Sequence, residues 1–252
     1  MTVYFIGAGP GAADLITVRG ADLLARCRTC VYAGSLVPAE MLARCPDDAV
    51  LIDSARMPLP GIIDHIERAH LDGHDVARLH SGDLSIYSAL AEQMRELDRR
   101  GIDYELVPGV PAFAAAASAL RCELTVPGVG QSVLLTRVST LSTDMPAGEE
   151  LDRLAASGVT LALHLAAHRA EQVSEILIRH YGARCPVAVV AFASRDNEQI
   201  VRCRLDELAA RVEEAGIVRT AIIFVGRVLA AEGFGDSYLY SHARMVKLQV
   251  DR

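Results

Sequence analysis

Three short segments hold the residues best placed for chemistry. Gly7-Ala8-Gly9-Pro10-Gly11-Ala12 follows the apolar run TVYFI. It satisfies the G-x-G-x-x-[GA] spacing of a turn that brings backbone close to a ligand. Ser81-Gly82-Asp83 follows the run from 75 to 80, and Pro108-Gly109 follows the run from 104 to 107. Asp83 is the carboxylate placed to accept a hydrogen bond from a ligand amine or ribose. Its other reading is an N-cap for a helix over 84–98, and both can hold together. His80, His164 and His168 stand near strand ends, either satisfied in place, facing solvent, or placed to meet an acidic ligand. Arg56, Arg121, Arg137, Arg169 and Arg195 are either solvated or partners for substrate carboxylates, which the guanidinium fork matches. Of six cysteines, only Cys27 and Cys30 form a C-x-x-C; Cys45, Cys122, Cys185 and Cys203 stand singly. That is half of a zinc ribbon, so no metal site is expected.

The first turn invites a dinucleotide reading, and two features count against it. A Rossmann unit wants an acid about 20 residues further on, at the end of the second strand, to bind a ribose. Here that strand ends Val31-Tyr32-Ala33-Gly34, with no carboxylate. Pro10 also removes a backbone donor where a pyrophosphate would need one.

The elements that must position these residues alternate. Strands are expected at 2–6, 29–32, 49–52, 75–80 and 104–107, with helical patterns at 18–26, 62–69, 86–97 and 112–120. Pro38 can open a short helix. Such alternation favours a parallel sheet covered by helices, with ligands outside the carboxyl ends of the strands. Glycine recurs just past those ends, at Gly7, Gly34, Gly82 and Gly109, where it lets backbone and ligand approach closely. After RCELTVPGVGQ a second block follows. Its strands are expected at 132–137, 160–165, 187–192, 200–203 and 221–225. Its helix faces are Val173, Ile176, Leu177, His180 and Leu205, Leu208, Ala209, Val212. Residues 141–149 read as a loop, and the tail carrying Tyr238, Tyr240, His242 and Lys247 has no clear pattern. The expected organisation is two α/β domains, 1–121 and 131–252, joined by a linker at about 122–130, with a cleft between them as the default site.

Composition agrees with a globular chain that has an ample core. The 252 residues are 51% hydrophobic and 23% charged, with net charge −7, which argues against a nucleic-acid partner. The opening MTVYFIGAGPGAAD has no basic n-region. The longest other apolar stretch, 110–120, falls short of the ~20 residues a membrane span needs. A cytoplasmic protein with no membrane partner is expected.

Six segments, in order and at matching spacing, carry a family resemblance: IGAGPGAADLITVRG, RLHSGDLSIYSAL, ELVPGVPAFAAAASAL, QSVLLTR, LALHLAAHR and AIIFVGRVL. Together they resemble the tetrapyrrole methylases. VYAGSLVP, LIDSARMPLPGIIDHI and CELTVPGVGQSVLLTR resemble a branch of the corrin pathway rather than the uroporphyrinogen III branch. The resemblance implies an S-adenosyl-L-methionine-dependent methyltransferase that releases S-adenosyl-L-homocysteine. It also implies a homodimer of two-domain α/β subunits, with cofactor and tetrapyrrole in the trough between domains. By position it assigns Pro10 to the trough, and Ser81, Gly82 and Asp83 to the loop that holds the cofactor. Ile86 and Tyr87 follow that loop. Pro111 and Ala112 stand where the family has Thr-Ala, so a hydroxyl contact is lost or moved, and Leu84 replaces a usual proline. Leu165, Ala193, Thr220 and Ala221 complete the implied cofactor set. In-line transfer from a sulfonium needs no acid or base, so no catalytic side chain is assigned. Holding carbon, methyl and sulfur in line would supply the rate.

Overall fold

The computed structural model describes residues 1–139, 143–241, 244, 245 and 247. Leu141 and Ser142 of the expected loop, and His242 of the tail, lie outside the described residues. The chain divides into two compact units, Met1–Ala115 with Ala193–Asp196, and Ala116–Phe192 with Asn197–Arg252. The boundary therefore falls inside a helix. Residues 122–130 belong to the second unit, where Val126 pairs with Gly130 across a turn through Pro127 and Gly128. Proline and glycine there build a hairpin turn as well as interrupting the helical pattern.

The first unit holds β1 (Val3–Gly7), β2 (Thr29–Tyr32), β3 (Val50–Asp53), β4 (Val76–His80) and β5 (Tyr104–Val107). Its helices are α1 (Val18–Leu24), α2 (Ala39–Leu42), α3 (Leu59–Leu71), α4 (Ala91–Arg100) and α5 (Ala112–Ala119). All five strands are parallel in the order β3-β2-β4-β1-β5. The pleat of β1 explains the two cores. Val3 and Phe5 face one side with Ile62, Ile63, Ile66 and Leu97. Ile6 faces the other with Leu23, Leu24 and Met41. A strand buried on both faces reads as a continuous apolar run, as TVYFI does. Thr17 caps α1 by accepting from Gly20 N at 3.1 Å. Gly101, at φ 63°, ends α4.

The chain leaves β1 toward β2 on one side of the sheet and leaves β4 toward β5 on the other. The connections that leave β1 and β4 thus run in opposite directions across the sheet. One expected element is corrected. α4 begins at Ala91, not near Leu84, because Tyr87 (φ 53°) and Ala89 (φ 51°) leave the right-handed helical region.

The second unit holds β6 (Val133–Arg137), α6 (Leu151–Ala155), β7 (Thr160–His164), α7 (Ala170–Tyr181), β8 (Pro186–Ala191), β9 (Gln199–Arg204), α8 (Leu208–Glu214) and β10 (Ala221–Val225). Its sheet order is β6-β7-β10-β8-β9; β6 and β7 are parallel and the other pairs antiparallel. Leu161, Leu163, Val189 and Ile223 pack against Val173, Leu177, Leu208 and Val212. The helix faces read from sequence thus cover one side of this sheet. Among the described residues no helix is long and apolar enough to cross a membrane.

Candidate functional site

In the first unit the ends of β1, β4 and β5 are locked backbone to backbone. Gly9 N donates to Gly82 O at 3.1 Å and Gly82 N donates to Gly9 O at 2.7 Å. A Cβ on Gly7 would stand 2.6 Å from Gly109 Cα and 2.9 Å from Gly82 O. A Cβ on Gly109 would overlap Gly82 O and stand 2.8 Å from Gly7 Cα. These two glycines were expected to leave room for a ligand. Instead their missing side chains let three strand ends touch, since only hydrogen fits between the backbones. Gly82, at φ 70°, supplies the left-handed bend between them.

Asp83 fastens the same ends. Its Oδ2 accepts from Gly109 N at 2.9 Å. Its Oδ1 accepts from Ser85 N at 2.9 Å and from the Ser85 hydroxyl. Burial disfavours its charged form. Hydrogen bonds from the Ser85 hydroxyl and from the backbone of Gly109, Ser85 and Leu84 outweigh that, so its pKa lies below the ordinary carboxylate value. Asp83 is therefore no N-cap for α4, which begins eight residues later by sequence number. It closes an Asx turn within its own loop and ties that loop to β5.

Pro10 is half-buried in the turn after β1, and Ser81 is exposed. Pro111 and Ala112 open α5 beside Gly82: a Cβ there would lie 3.7 Å from Ala112 N and 3.9 Å from Pro111 Cα. Ala193 belongs to the first unit. Its carbonyl lies 3.1 Å from the position a Cβ on Gly11 would take. Ser194 Oγ next to it accepts from Ala12 N at 3.0 Å. Gly11 leaves space for the stem of Arg195, whose guanidinium donates to Leu36 O at 3.0 Å. Ile86 is half-buried, while Tyr87 is 46% exposed.

Leu165, Thr220 and Ala221 lie at one end of the interior strands of the second sheet. β7 ends at His164, with Arg137 of β6 as its neighbour, and antiparallel β10 begins there with Ala221 opposite Ala191. Thr220 O accepts from Phe192 N at 2.9 Å. The twelve implied residues thus form two groups, one on each unit, at carboxyl ends of central strands or beside them.

The backbone singles out the same places. Among the described residues, seven non-glycine residues have positive φ: Tyr87, Ala89, Arg121, Leu165, Phe192, Ser194 and Thr220. Three of them are implied site residues, and Phe192 and Ser194 flank a fourth, Ala193. Such conformations are costly for L-residues and gather where a ligand is clamped. Leu165, 55% exposed, is an apolar side chain held outward on such a backbone.

Two of the histidines, His80 and His164, are held neutral. Burial, with Arg78 nearby, pushes His80 down to about 4, and burial pushes His164 down to about 4. His80 is turned inward, its Nδ1 3.0 Å from Ser88 O. It is therefore no partner for a substrate carboxylate. His168 is exposed, as are Arg56 and Arg121, while Arg137 and Arg169 are half-buried.

A sequence model of the Tetrapyrrole (Corrin/Porphyrin) Methylases matches residues 2–209. The chain belongs to the tetrapyrrole methylases. It is 60% identical over 244 residues to precorrin-4 C(11)-methyltransferase of Rhodococcus erythropolis, covering 97% of this chain and 98% of that one. The solved structure of a cobalt precorrin-4 methyltransferase, a cobalamin biosynthetic enzyme, superimposes with TM-score 0.88 at 37% identity, covering 90% of this chain and 95% of that one. Uroporphyrin-III C-methyl transferase of Thermus thermophilus, solved with S-adenosyl homocysteine, gives TM-score 0.76 at 26% identity, covering 91% and 99%. This tetrapyrrole methylase is accordingly a methyltransferase built from two α/β sheets.

Sequence reasoning did not find the strained residues Ala89, Phe192 and Ser194. It also missed the buried side chains beneath the β4 loop. Backbone strain leaves no compositional mark on alanine, phenylalanine or serine. A buried arginine within the strand VARLH was the one available signal.

Proposed function

We propose that this chain transfers the methyl group of S-adenosyl-L-methionine to C-11 of precorrin-4, giving precorrin-5 in cobalamin biosynthesis. The observation that carries the reading is the 60% identity, end to end, with a precorrin-4 C(11)-methyltransferase. Identity to cobalt-precorrin-4 methyltransferases is lower, at 37–42%, and to uroporphyrin-III C-methyl transferase lower still, at 24–28%, which favours the metal-free C-11 reaction.

The residues present suit a nucleoside-bearing cation. Leu165 and Tyr87 offer exposed apolar surface on backbones held away from their relaxed conformation. Pro10, Ser81, Gly82, Asp83, Ile86, Pro111, Ala112, Ala193, Thr220 and Ala221 complete the proposed cofactor set. When bound, the cofactor supplies an electrophilic methyl on a sulfonium. The protein's part is to hold and orient, and the locked strand ends give it a rigid floor on which to do so. Neutral His80 and His164 add no charge, and no side chain is required as a base. A homodimer is expected from kinship.

The test is incubation with precorrin-4 and a donor carrying a labelled methyl, followed by locating the label. Label at C-11 is the expected result. Label at another carbon, or turnover only of cobalt-precorrin-4 or uroporphyrinogen III, would overturn the assignment.

A further inference from the structure

Arg78 is an odd residue to find in a central strand. It is 5% exposed, and among the described residues it makes no ion pair. Its partners are all neutral. Nε donates to Gln93 Oε1 at 2.9 Å, and Nη1 donates to Ser54 Oγ at 3.0 Å and to Val31 O at 3.4 Å. Burying a cation without an anion is costly, and burial lowers its pKa to about 10. A cost of that kind needs a return.

The return lies in what Gln93 does with its other end. Its Nε2 donates to Ala89 O at 2.8 Å. His80, two residues along β4 on the same face, holds the neighbouring carbonyl, Ser88 O, at 3.0 Å. Two β4 side chains, one directly and one through Gln93, therefore strap the turn that contains both left-handed residues, Tyr87 and Ala89. A side-chain amide fixed by a guanidinium has one orientation, with oxygen toward Arg78 and nitrogen toward Ala89. Left-handed backbone at two non-glycine positions persists only where surrounding contacts impose it.

We propose that Gln93, oriented by the buried Arg78, is a positioning residue that holds the strained turn after β4 and so presents Tyr87 to the cofactor. The last step rests on the proposed S-adenosylmethionine site; the strap itself does not.

Gln93→Glu separates the two bonds. A carboxylate still accepts from Arg78 but has nothing to donate to Ala89 O. Two measurements read the result. Deuterium uptake across residues 84–90 of the ligand-free protein should rise at least threefold in rate, with Tm within a few degrees of the parent. Binding of S-adenosylhomocysteine, by calorimetry, should weaken about tenfold in Gln93→Glu. The same change placed in Tyr87→Ala should weaken it less than twofold, since residues acting through one another are not additive. Unchanged uptake would overturn the strap. Equal weakening in both backgrounds would overturn the route through Tyr87. If the parent binds no S-adenosylhomocysteine, the cofactor reading fails and takes the route through Tyr87 with it, while the uptake result still decides the strap.

Discussion

Replacing Asp83 with asparagine tests whether the clamp at the strand ends is electrostatic. The side chain accepts at both oxygens, from Ser85 on one and from Gly109 N on the other. Asparagine has the same shape and only one carbonyl oxygen. If its amide nitrogen faces Gly109 N, two donors meet. If it faces Ser85, the hydroxyl can rotate to accept but Ser85 N loses its acceptor. In either orientation one backbone N–H is left without an acceptor, and the other donates to a neutral carbonyl in place of a carboxylate. Hydrogen bonds to charged groups are worth about 1.5–3 kcal/mol, and water reaches this half-buried loop, so a loss of about 1–2 kcal/mol is expected. Urea unfolding at pH 7 measures it. The pH dependence gives a second reading. The folded pKa of Asp83 is depressed, so its contribution is complete above the unfolded value, near 3.9, and disappears as pH falls through the lower folded value. The gap between parent and Asp83→Asn should therefore be widest near neutrality and narrow in acid below that window. A carboxylate serving only as a ligand contact would leave the ligand-free protein's stability unchanged. Equal stability at pH 7, or a gap that persists undiminished in acid, would refute the clamp.

Gly109→Ala should be among the most damaging single substitutions in the first unit. The new Cβ would meet backbone of Gly82 and Gly7, which cannot rotate away, at a cost of about 3 kcal/mol or more. Gly73→Ala is the contrast: its φ of 71° disfavours alanine, a strain Gly109 does not carry, but nothing lies within 4 Å, so only about 1–2 kcal/mol is expected. Thermal unfolding compares them, and equal losses would rule out the backbone lock. Leu165→Gly should cost little stability despite removing a large side chain. The residue is 55% exposed, and relief of its left-handed backbone, about 1–2 kcal/mol, offsets the greater freedom of glycine in the unfolded chain. S-adenosylhomocysteine affinity should fall nonetheless. A loss of stability above about 2 kcal/mol would mean that Leu165 is a packing residue.

The strands were legible because burial on both faces writes itself as an apolar run. Thr29–Tyr32 and Ala221–Val225 lie where such runs and the glycines after them place them, whereas Tyr104–Val107, an edge strand exposed at Glu105 and Leu106, is marked by the Pro108-Gly109 that ends it. Helix faces were legible for the same reason, as with Val173 and Leu177. The start of α4 was not. Ile86, Leu90, Met94 and Leu97 keep helical spacing, but Tyr87 and Ala89 turn left-handed between the first two. Neither residue type predicts that conformation, since the contacts that impose it come from Arg78, Gln93 and His80. The glycines were legible as special and misleading as to purpose. Gly7 and Gly109 meet each other, a pairing set by β5 lying beside β1, which residue spacing alone does not encode.

That pairing also explains why strain is concentrated where it is. A sheet whose central ends are locked by glycine and by Asp83 has little freedom left past β1, β4 and β5. The chain after β4 must therefore turn sharply to reach α4, and it does so through two left-handed residues held from below. In the second unit Leu165, Phe192 and Thr220, each adjoining an end of the interior strands β7, β8 and β10, carry the same signature without glycine. Glycine would relax those positions and leave no side chain to present. Leu165 and Thr220 are exposed on such backbone, while Phe192 packs against the core and anchors the turn before Ala193. Strain and exposure together, more than residue type, therefore mark the proposed site.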